Sequence, residues 1–449
     1  MKKRKERSVP YGTPLVKEMK IARFSEELIK IMEDSQKKVN SGYDFYNENL
    51  LLSSFVEVEK WKNIESIKIY CQKGFEPSGR WTRVDDGASY PIYVDVLSDS
   101  IQIVADADYM EWYDGCHFLN DLKMNVHHIF IGNVSFKNIR NLSCMFYDDN
   151  AVEDIEFLDI IHLDNIKECR QMFLACHGLK TISMPDFRNL PSLDDASSMF
   201  RECQNLKSVD GLPVITDKCT KLKFMFDDCE NLTSLDLSGW DVSSVKHMDF
   251  MFCNCGKLSS LNLSGWNTSS MESADSMFGD CVELSTIDVE GWDTSCLKYA
   301  SRMFMGCSKL ERLDLSKWNT RSLKLTAGMF ARCQNMQEIN LHGWMTSNVN
   351  DMGYMFFDCK SLKSLDISTF RTSAVSNMRS MFMNCESLRS VDVSHFSMSK
   401  CRHIRCMFEQ CRNLTFIDVS GWKLRCDIDA YRCLYGCENL VFVDMSIFN

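Results

Sequence analysis

The sequence predicts an α/β solenoid with a parallel sheet, built from about twelve stacked repeats behind a small N-terminal α+β module. A Met-Phe pair recurs eleven times, first at two spacings of 27 residues and then at a constant spacing of 26. The pairs begin at Met145, Met172, Met199, Met225, Met251, Met277, Met303, Met329, Met355, Met381 and Met407. A fixed period of this length is typical of stacked units that bury their cores only against their neighbours.

Two periodicities share each repeat. The L-D-L-S stretch at 235–238 alternates apolar and polar residues, as a half-buried strand does. Val245, Met248, Met251 and Phe252 have the spacing of one side of a short helical segment. Asp241 stands where that segment should begin, which suits an N-cap. We therefore expect one strand and one helical segment in each repeat.

The complete repeat reads M-F-x-x-C-x-x-L-x-x-L-D-L-S-x-W-[DN]-T-S. Its L-x-x-L-x-L core is similar to the leucine-rich repeat. With its W-[DN]-T-S and M-F-x-x-C parts, the region 145–449 resembles the BspA-like repeats of bacterial surface proteins. The resemblance implies a curved solenoid with the parallel sheet on its concave side. It also implies surface display and adhesion, from which this chain departs in having no recognisable export signal.

The two ends of the chain do not follow the repeat. Residues 1–105 predict an α+β module of unknown role, with a helix in FSEELIKIMEDSQKKV and strands in SIKIYCQKGF, YPIYVDVL and SIQIVADADYMEWYDG. Residues 106–144 should cap the solenoid, and 145–449 should form it. At the C-terminus, Val441, Phe442, Val443 and Met445 predict an exposed edge strand, through which two copies could pair end to end as a homodimer.

Eleven of the 22 cysteines occupy one position of the repeat, four residues after the Met or, for Cys437 in the last copy, four residues after Cys433. Neighbours in such a column should be about 8–10 Å apart, whereas a disulfide needs Cα atoms within about 7 Å. We therefore expect free, packed thiols, and neither a metal nor a cofactor. Zinc at Cys401, Cys406 and Cys411, or at Cys426, Cys433 and Cys437, is the alternative. Free thiols and the missing signal favour the cytoplasm, with the cell surface or non-classical secretion as the alternative.

Two outward columns on the strands are the candidate partner-binding residues of the concave face. The first contains Asp236, Asn262, Asp288, Asp314, Asn340, Asp366, Asp392 and Asp418, and the second begins with Ser238, Ser264, Glu290 and Ser316. Extended faces of solenoids bind partners, and a basic protein surface would fit. The alternative is a solvated face, with Arg312, Lys363 and Arg389 offsetting part of the charge. Trp and Phe at the end of each strand are either core or stacking platforms for sugars.

Charge and motifs limit the function. The net charge of −11 disfavours nucleic acid as a partner, and no apolar run is long enough to predict a transmembrane segment. No His column accompanies the Asp and Ser columns, so no acid–base relay repeats. We therefore expect a non-catalytic recognition or scaffold protein that binds protein partners. A surface adhesin for host or matrix proteins is the alternative, and an enzyme within 1–105 is the third reading.

Overall fold

The computed structural model describes residues 66–73, 75–77, 81–83, 92–96, 100–105, 110–113, 126–425 and 427–441. The expected helix in FSEELIKIMEDSQKKV lies outside these residues. So do Phe442, Val443 and Met445 of the expected edge strand. In the described part of the chain, no helix is long and apolar enough to cross a bilayer.

Ten strands form the first part of the fold. They are β1 (Ser66–Cys71), β2 (Thr82–Arg83), β3 (Ile92–Val96), β4 (Ser100–Ala105), β5 (Met110–Tyr113), β6 (His128–Gly132), β7 (Val134–Asn138), β8 (Asp154–Leu158), β9 (Thr181–Ser183) and β10 (Ser208–Asp210). Eight of them make one sheet in the order β10-β9-β8-β6-β1-β4-β3-β2. All pairs in it are parallel except β2–β3 and β3–β4. The strands expected in the N-terminal module are therefore present. β1 pairs directly with β6 across the predicted boundary at 105, and the boundaries at 105 and 144 stay a prediction.

Six short strands continue the array. They are β11 (Ser234–Asp236), β12 (Ser260–Asn262), β13 (Arg312–Asp314), β14 (Glu338–Asn340), β15 (Ser390–Asp392) and β16 (Phe416–Asp418). They pair in parallel two by two, with Leu235 opposite Leu261 in the first pair. The equivalent residues 286–288 and 364–366 are not assigned to strands, so the strand ladder is interrupted there. The solenoid with a parallel sheet is confirmed.

The helical segment expected in each repeat is wrong. Residues 249–254 form a chain of turns, in which Phe250 and Asn254 adopt left-handed φ values of 58°. The N–H groups of Met248, Phe250, Phe252 and Asn254 bond to carbonyls 25 residues further along the chain, at 2.7–2.9 Å. An α-helix would use these N–H groups within its own segment. Here they join one turn of the solenoid, which we call a rung, to the next.

A second link runs beside the turns without interruption. Twelve residues at one position, four before the Met of each Met-Phe pair, are joined by eleven parallel bridges. They are Asn141, Glu168, Asp195, Lys221, His247, Ser273, Tyr299, Leu325, Asp351, Asn377, His403 and Asp429. The backbone therefore connects all rungs on the turn side, whereas pairing on the strand side is intermittent.

The core is a stack of identical side chains. The Phe rings of the Met-Phe pairs lie 5.1–6.0 Å apart from Phe146 to Phe408, with interplanar angles of 3–18°. Val245, Met248, Met251 and Phe252 are fully buried. Their common orientation was therefore predicted correctly, although the backbone that carries them is not helical. The stacking of such large rings supplies much of the stability of the array.

The cysteine column lies in the same core and makes a hydrogen bond that its spacing does not reveal. Each of the eleven thiols donates to the carbonyl oxygen of the Phe in the preceding rung, at 2.8–3.1 Å. Burial raises the pKa of these thiols, that of Cys333 to about 12. A thiol held in this form is a weak nucleophile, so the column is packing material, as predicted.

Candidate binding face

The predicted binding residues lie in one row on the strands. Register places Asp236 beside Asn262, Asp314 beside Asn340 and Asp392 beside Asp418. All eight row residues are exposed except Asp418, which is half-buried. In the second column, Ser238 and Ser264 are exposed, whereas Glu290 and Ser316 are half-buried. We call this surface the strand face; its concave curvature stays a prediction.

Each side chain of the row closes a tight turn at the end of its strand. Its Oδ1 atom accepts a hydrogen bond from the backbone N–H two residues further on, at 2.9–3.3 Å in all eight rungs. Asp and Asn favour such turns because their short side chains reach the backbone there. The row therefore has a structural role that the sequence interpretation did not include.

These turns also keep the carboxylates charged. The hydroxyl and the N–H of Ser238 hold the pKa of Asp236 below its usual value. The serine two residues on does the same for Asp314, Asp366, Asp392 and Asp418. Because hydrogen bonds to the ionised form favour it, the row is negatively charged and its side chains are fixed in direction.

Two of the basic residues that were expected to offset the charge of the row contact other side chains. Arg312 forms an ion pair with Glu338 at 3.0 Å, and Lys363 donates to the amide oxygen of Gln337 at 3.3 Å. Within the row itself, Asn262 donates to Asp236 at 2.9 Å and Asn340 donates to Asp314 at 3.0 Å. The two asparagines thus separate like charges, and neither Arg312 nor Lys363 neutralises the row.

One open cleft interrupts the strand face. It has a volume of about 350 Å³ and lies where the ladder is broken after β12. Its lining consists of Ser259, Ser260, Leu261, Thr286, Ile287 and Asp288. Asp288 is the single titratable side chain of that lining, so these six residues hold no acid–base pair.

The aromatic column is core and not a sugar platform. Trp240, Trp266, Trp292, Trp318 and Trp344 are at most 5% exposed and stack at 6.0–6.4 Å. The indole N–H of Trp266 donates to the carbonyl of Leu237 at 3.0 Å, and Trp318, Trp344 and Trp422 make the equivalent bond. A buried ring with its polar atom satisfied has no face for a ligand.

The cysteine and histidine clusters do not form a site in the part of the chain that is described. Cys401 and Cys411 are buried, Cys406 is half-buried, and Cys426 lies outside the described residues. No group of three His, Cys, Asp or Glu side chains among the described residues is arranged to hold a metal ion. His247 is half-buried, with its Nδ1 3.8 Å from Asp249.

Two family descriptions match the repeats. The description "BspA type Leucine rich repeat region (6 copies)" matches residues 109–222. The description "Mycoplasma protein of unknown function, DUF285" matches residues 220–340 and 325–441. Residues 109–222 therefore belong to the BspA-type leucine-rich-repeat family. A search of the curated proteins gives no match.

Solved structures similar to this chain share little sequence with it. A leucine-rich cell surface protein from Faecalibacterium prausnitzii is 16% identical, with 76% of this chain and 95% of that chain covered and a TM-score of 0.32. A chain of the Toll–Spätzle complex from Drosophila is 15% identical, with 65% of this chain and 38% of that chain covered and a TM-score of 0.30. A chain of the TLR13–ssRNA13 complex is 15% identical, with 72% of this chain and 50% of that chain covered and a TM-score of 0.29. At these TM-scores the likeness carries no argument about function.

The repeat contains a buried polar column that the sequence interpretation missed. Five threonines are at most 2% exposed, and each donates to a carbonyl 25 residues further on, at 3.0–3.3 Å. They are Thr268, Thr294, Thr320, Thr346 and Thr372. The invariant T of the W-[DN]-T-S stretch in these rungs was the available signal. A hydroxyl at a fixed core position needs a partner.

Proposed function

We propose that the chain is a non-catalytic recognition or scaffold protein whose strand face binds a partner with a basic surface. The observation that carries the proposal is the row of eight Asp and Asn side chains at one position in successive rungs. Charge of one sign along an extended face attracts a surface of opposite sign and suppresses wrong partners. The regular spacing of the rungs extends that recognition along the array.

The turns at the strand ends support this proposal because they orient the row in advance. Each side chain is already held by the backbone N–H two residues on, as in the 2.9 Å bond between Ser316 and Asp314. A group that is ordered before binding loses less conformational entropy on binding. The row therefore favours recognition by fixed charges.

The chemistry of the array favours binding over catalysis. The thiols of the cysteine column are buried with raised pKa values, as that of Cys333 is raised to about 12, so they are poor nucleophiles. The Asp and Ser of the strand face stand two residues apart in the chain, but no histidine accompanies them in each rung. A hydroxyl without a base remains unactivated.

The test removes charge without removing the turns. Asn262 and Asn340 already occupy the row and make the same N–H···O bond, at 3.1 Å in both cases. Asp288→Asn, Asp314→Asn and Asp366→Asn together should therefore leave folding unchanged. We expect partners captured by the full chain, identified by mass spectrometry and measured by surface plasmon resonance, to bind this variant at least tenfold more weakly, a loss of about 1.4 kcal/mol.

The matched control changes the same number of charges on another surface. Asp241 and Asp293 close equivalent turns after the aromatic column, and Asp217 is an exposed acid. Replacing these three by Asn should leave partner binding within about twofold, since local electrostatic complementarity outweighs net charge. Equal binding by both variants and the unaltered chain would remove the strand face from the proposal.

The second candidate is a surface adhesin, and the match to the BspA-type repeat is the observation that favours it. The two candidates differ in location. Protease treatment of intact cells should leave a scaffold protein whole and should degrade an adhesin. Binding of a purified matrix protein that the Asp-to-Asn variant loses would support the adhesin through the same face.

A further inference from the structure

Positive charge is concentrated on one surface of the last rungs. We define the side face as the ten residues of each rung between the aromatic column and the Met-Phe pair. In five rungs these are 319–328, 345–354, 371–380, 397–406 and 423–432. They contain ten Lys and Arg but three Asp and Glu, whereas the equivalent residues of the four preceding rungs contain six of each. The net charge of −11 conceals this basic surface.

Five of these cations are exposed and form no ion pair with a described residue, although the charge of Arg402 acts on Asp427 at longer range. Arg371, Arg379, Lys400, Arg402 and Lys423 are all exposed. Carboxylates of the described residues form ion pairs with the nearby Arg405, Arg425 and Arg432, at 2.7–4.0 Å. No described carboxylate lies within ion-pair distance of the five exposed cations. Unpaired like charges on adjacent rungs repel one another, so an anionic partner would stabilise this surface.

Two of the cations are held in place by the rung itself. The Arg371 guanidinium donates to the carbonyl oxygens of Ser368 and Phe370, at 3.2 and 3.0 Å. The guanidinium of Arg379 lies 5.8 Å above the Tyr354 ring. Rungs repeat at roughly the spacing of paired strands, about 4.8 Å. Arg371, Arg402 and Lys423 lie in three successive rungs, and cations repeated in this way match a polymer with repeated anionic groups better than a single small anion.

The residues between the cations indicate which polymer. Ser347, Asn348, Ser373, Ser376 and Ser399 are exposed on the same surface. Short hydroxyl and amide side chains both donate and accept hydrogen bonds, which suits the hydroxyl groups of sugars.

The exposed aromatic side chains favour a glycan over single-stranded nucleic acid. Tyr431 and Tyr435 already have the guanidinium groups of Arg405 and Arg432 over their rings, at 4.6 and 4.0 Å. Nucleic-acid surfaces use such rings to stack bases. We propose that the side face of these five rungs binds a linear polyanionic glycan through its sulfate or carboxylate groups.

The test uses the full chain and three defined probes. Heparin represents sulfated glycans, hyaluronan represents glycans with carboxylates alone, and polyuridylic acid represents single-stranded nucleic acid. The variant is Arg371→Gln, Arg402→Gln and Lys423→Gln. The control, with the same change in net charge, is Lys218→Gln, Lys257→Gln and Lys309→Gln, three exposed lysines outside the five rungs.

We expect the unaltered chain to bind heparin or hyaluronan at about 0.1 M salt, where a polyanion retains most of its electrostatic affinity. The variant should bind at least tenfold more weakly, and its slope of log Kd against log salt should fall by about three, one for each cation removed. The control should stay within about threefold. Equal losses in variant and control, or no binding to either glycan, would overturn the proposal.

Two further results separate this inference from its rivals. Tight binding of polyuridylic acid that heparin does not displace would assign the surface to nucleic acid and overturn the glycan. The strand-face variant with Asp288, Asp314 and Asp366 changed to Asn should keep its glycan binding. Failure of the strand-face proposal therefore leaves the side-face proposal standing, and the reverse also holds.

Discussion

Phe304→Ala tests the packing of the array at its centre. The Phe304 ring is fully buried and stacks on Phe278 at 5.5 Å and on Phe330 at 6.0 Å. Truncating a buried Phe to Ala costs about 3–5 kcal/mol, and each lost aromatic pair adds about 0.5–1.5 kcal/mol beyond buried area. Since both neighbours lose their partner, we expect a loss of free energy of unfolding near the upper end, about 4–5 kcal/mol.

Urea unfolding followed by far-ultraviolet circular dichroism measures this loss. In a repeat array the transition can divide into steps, in which case the step that contains the central rungs should move. Phe416→Ala is the control, because Phe416 begins β16 with 53% of its surface exposed. Its loss should stay within about 0.5 kcal/mol. A loss below about 1 kcal/mol for Phe304→Ala would refute the stacked core, since a truncated core Phe costs at least three times as much.

Three further changes test individual columns. Thr320→Val removes a hydroxyl that donates to the carbonyl of Met345 at 3.2 Å and accepts its N–H at 2.7 Å, so unfolding in urea should require about 1–3 kcal/mol less; an unchanged midpoint would contradict this. Arg332→Gly relieves a left-handed φ of 63° and should stabilise the chain by about 1 kcal/mol in the same assay, whereas a destabilised variant would show that its ion pair with Asp280 matters more. Burial raises the pKa of Asp149 to about 7. Because the unfolded chain then releases this proton at lower pH than the folded chain, the stability associated with Asp149 is complete below about pH 4 and is lost as pH rises to about 7. Asp149→Asn should reduce the change in free energy of unfolding between pH 4 and 7.5 by up to about 4 kcal/mol. An unaltered pH dependence in urea titrations would contradict the assignment.

The strand and the inward columns were predictable because their physics is local. An apolar residue between two polar ones, as at Leu235, must point inward on a half-buried strand. Met, Phe, Cys and Trp, each recurring at one position of the repeat, favoured a shared core over a zinc site or a sugar platform once the period was known. The solenoid could therefore be predicted from the constant period of the repeat.

The turn segment was not predictable in the same way because two structures share its signals. Asp241 accepts the N–H of Ser243 at 3.0 Å, which is the bond of a helix N-cap as well as of an Asx turn. Inward residues at spacings of three and one fit a helix and a chain of turns equally. The deciding signal lay in the residue before the cysteine position, which is left-handed in all twelve described rungs. In eight of them it is Asp, Asn or Gly, the residues that tolerate this conformation: Asp148, Asp228, Asn254, Asp280, Gly306, Asp358, Asn384 and Gly436.

The net charge of the chain does not show where charged side chains lie on its surface. The outward row of Asp and Asn could be read from alternation along the strand. Its closure of turns could not, since Asp at that position suits a solvated face as well. Net charge disfavoured nucleic acid as a partner, yet it hides the basic side face around Arg371 and Arg402. That surface appears only after the rungs are stacked and the ion pairs are assigned.

Alkylation of the cysteines tests most directly whether sulfur serves as packing in this fold. The full chain is treated with iodoacetamide without reductant, first folded and then in urea, and each cysteine is followed by mass spectrometry. Exposed Cys296 is the internal control and should react in the folded chain. We predict that the eleven column cysteines stay unmodified in the folded chain and all react in urea. Reaction of the column at the rate of Cys296 while folded, or its protection in urea, would contradict the account.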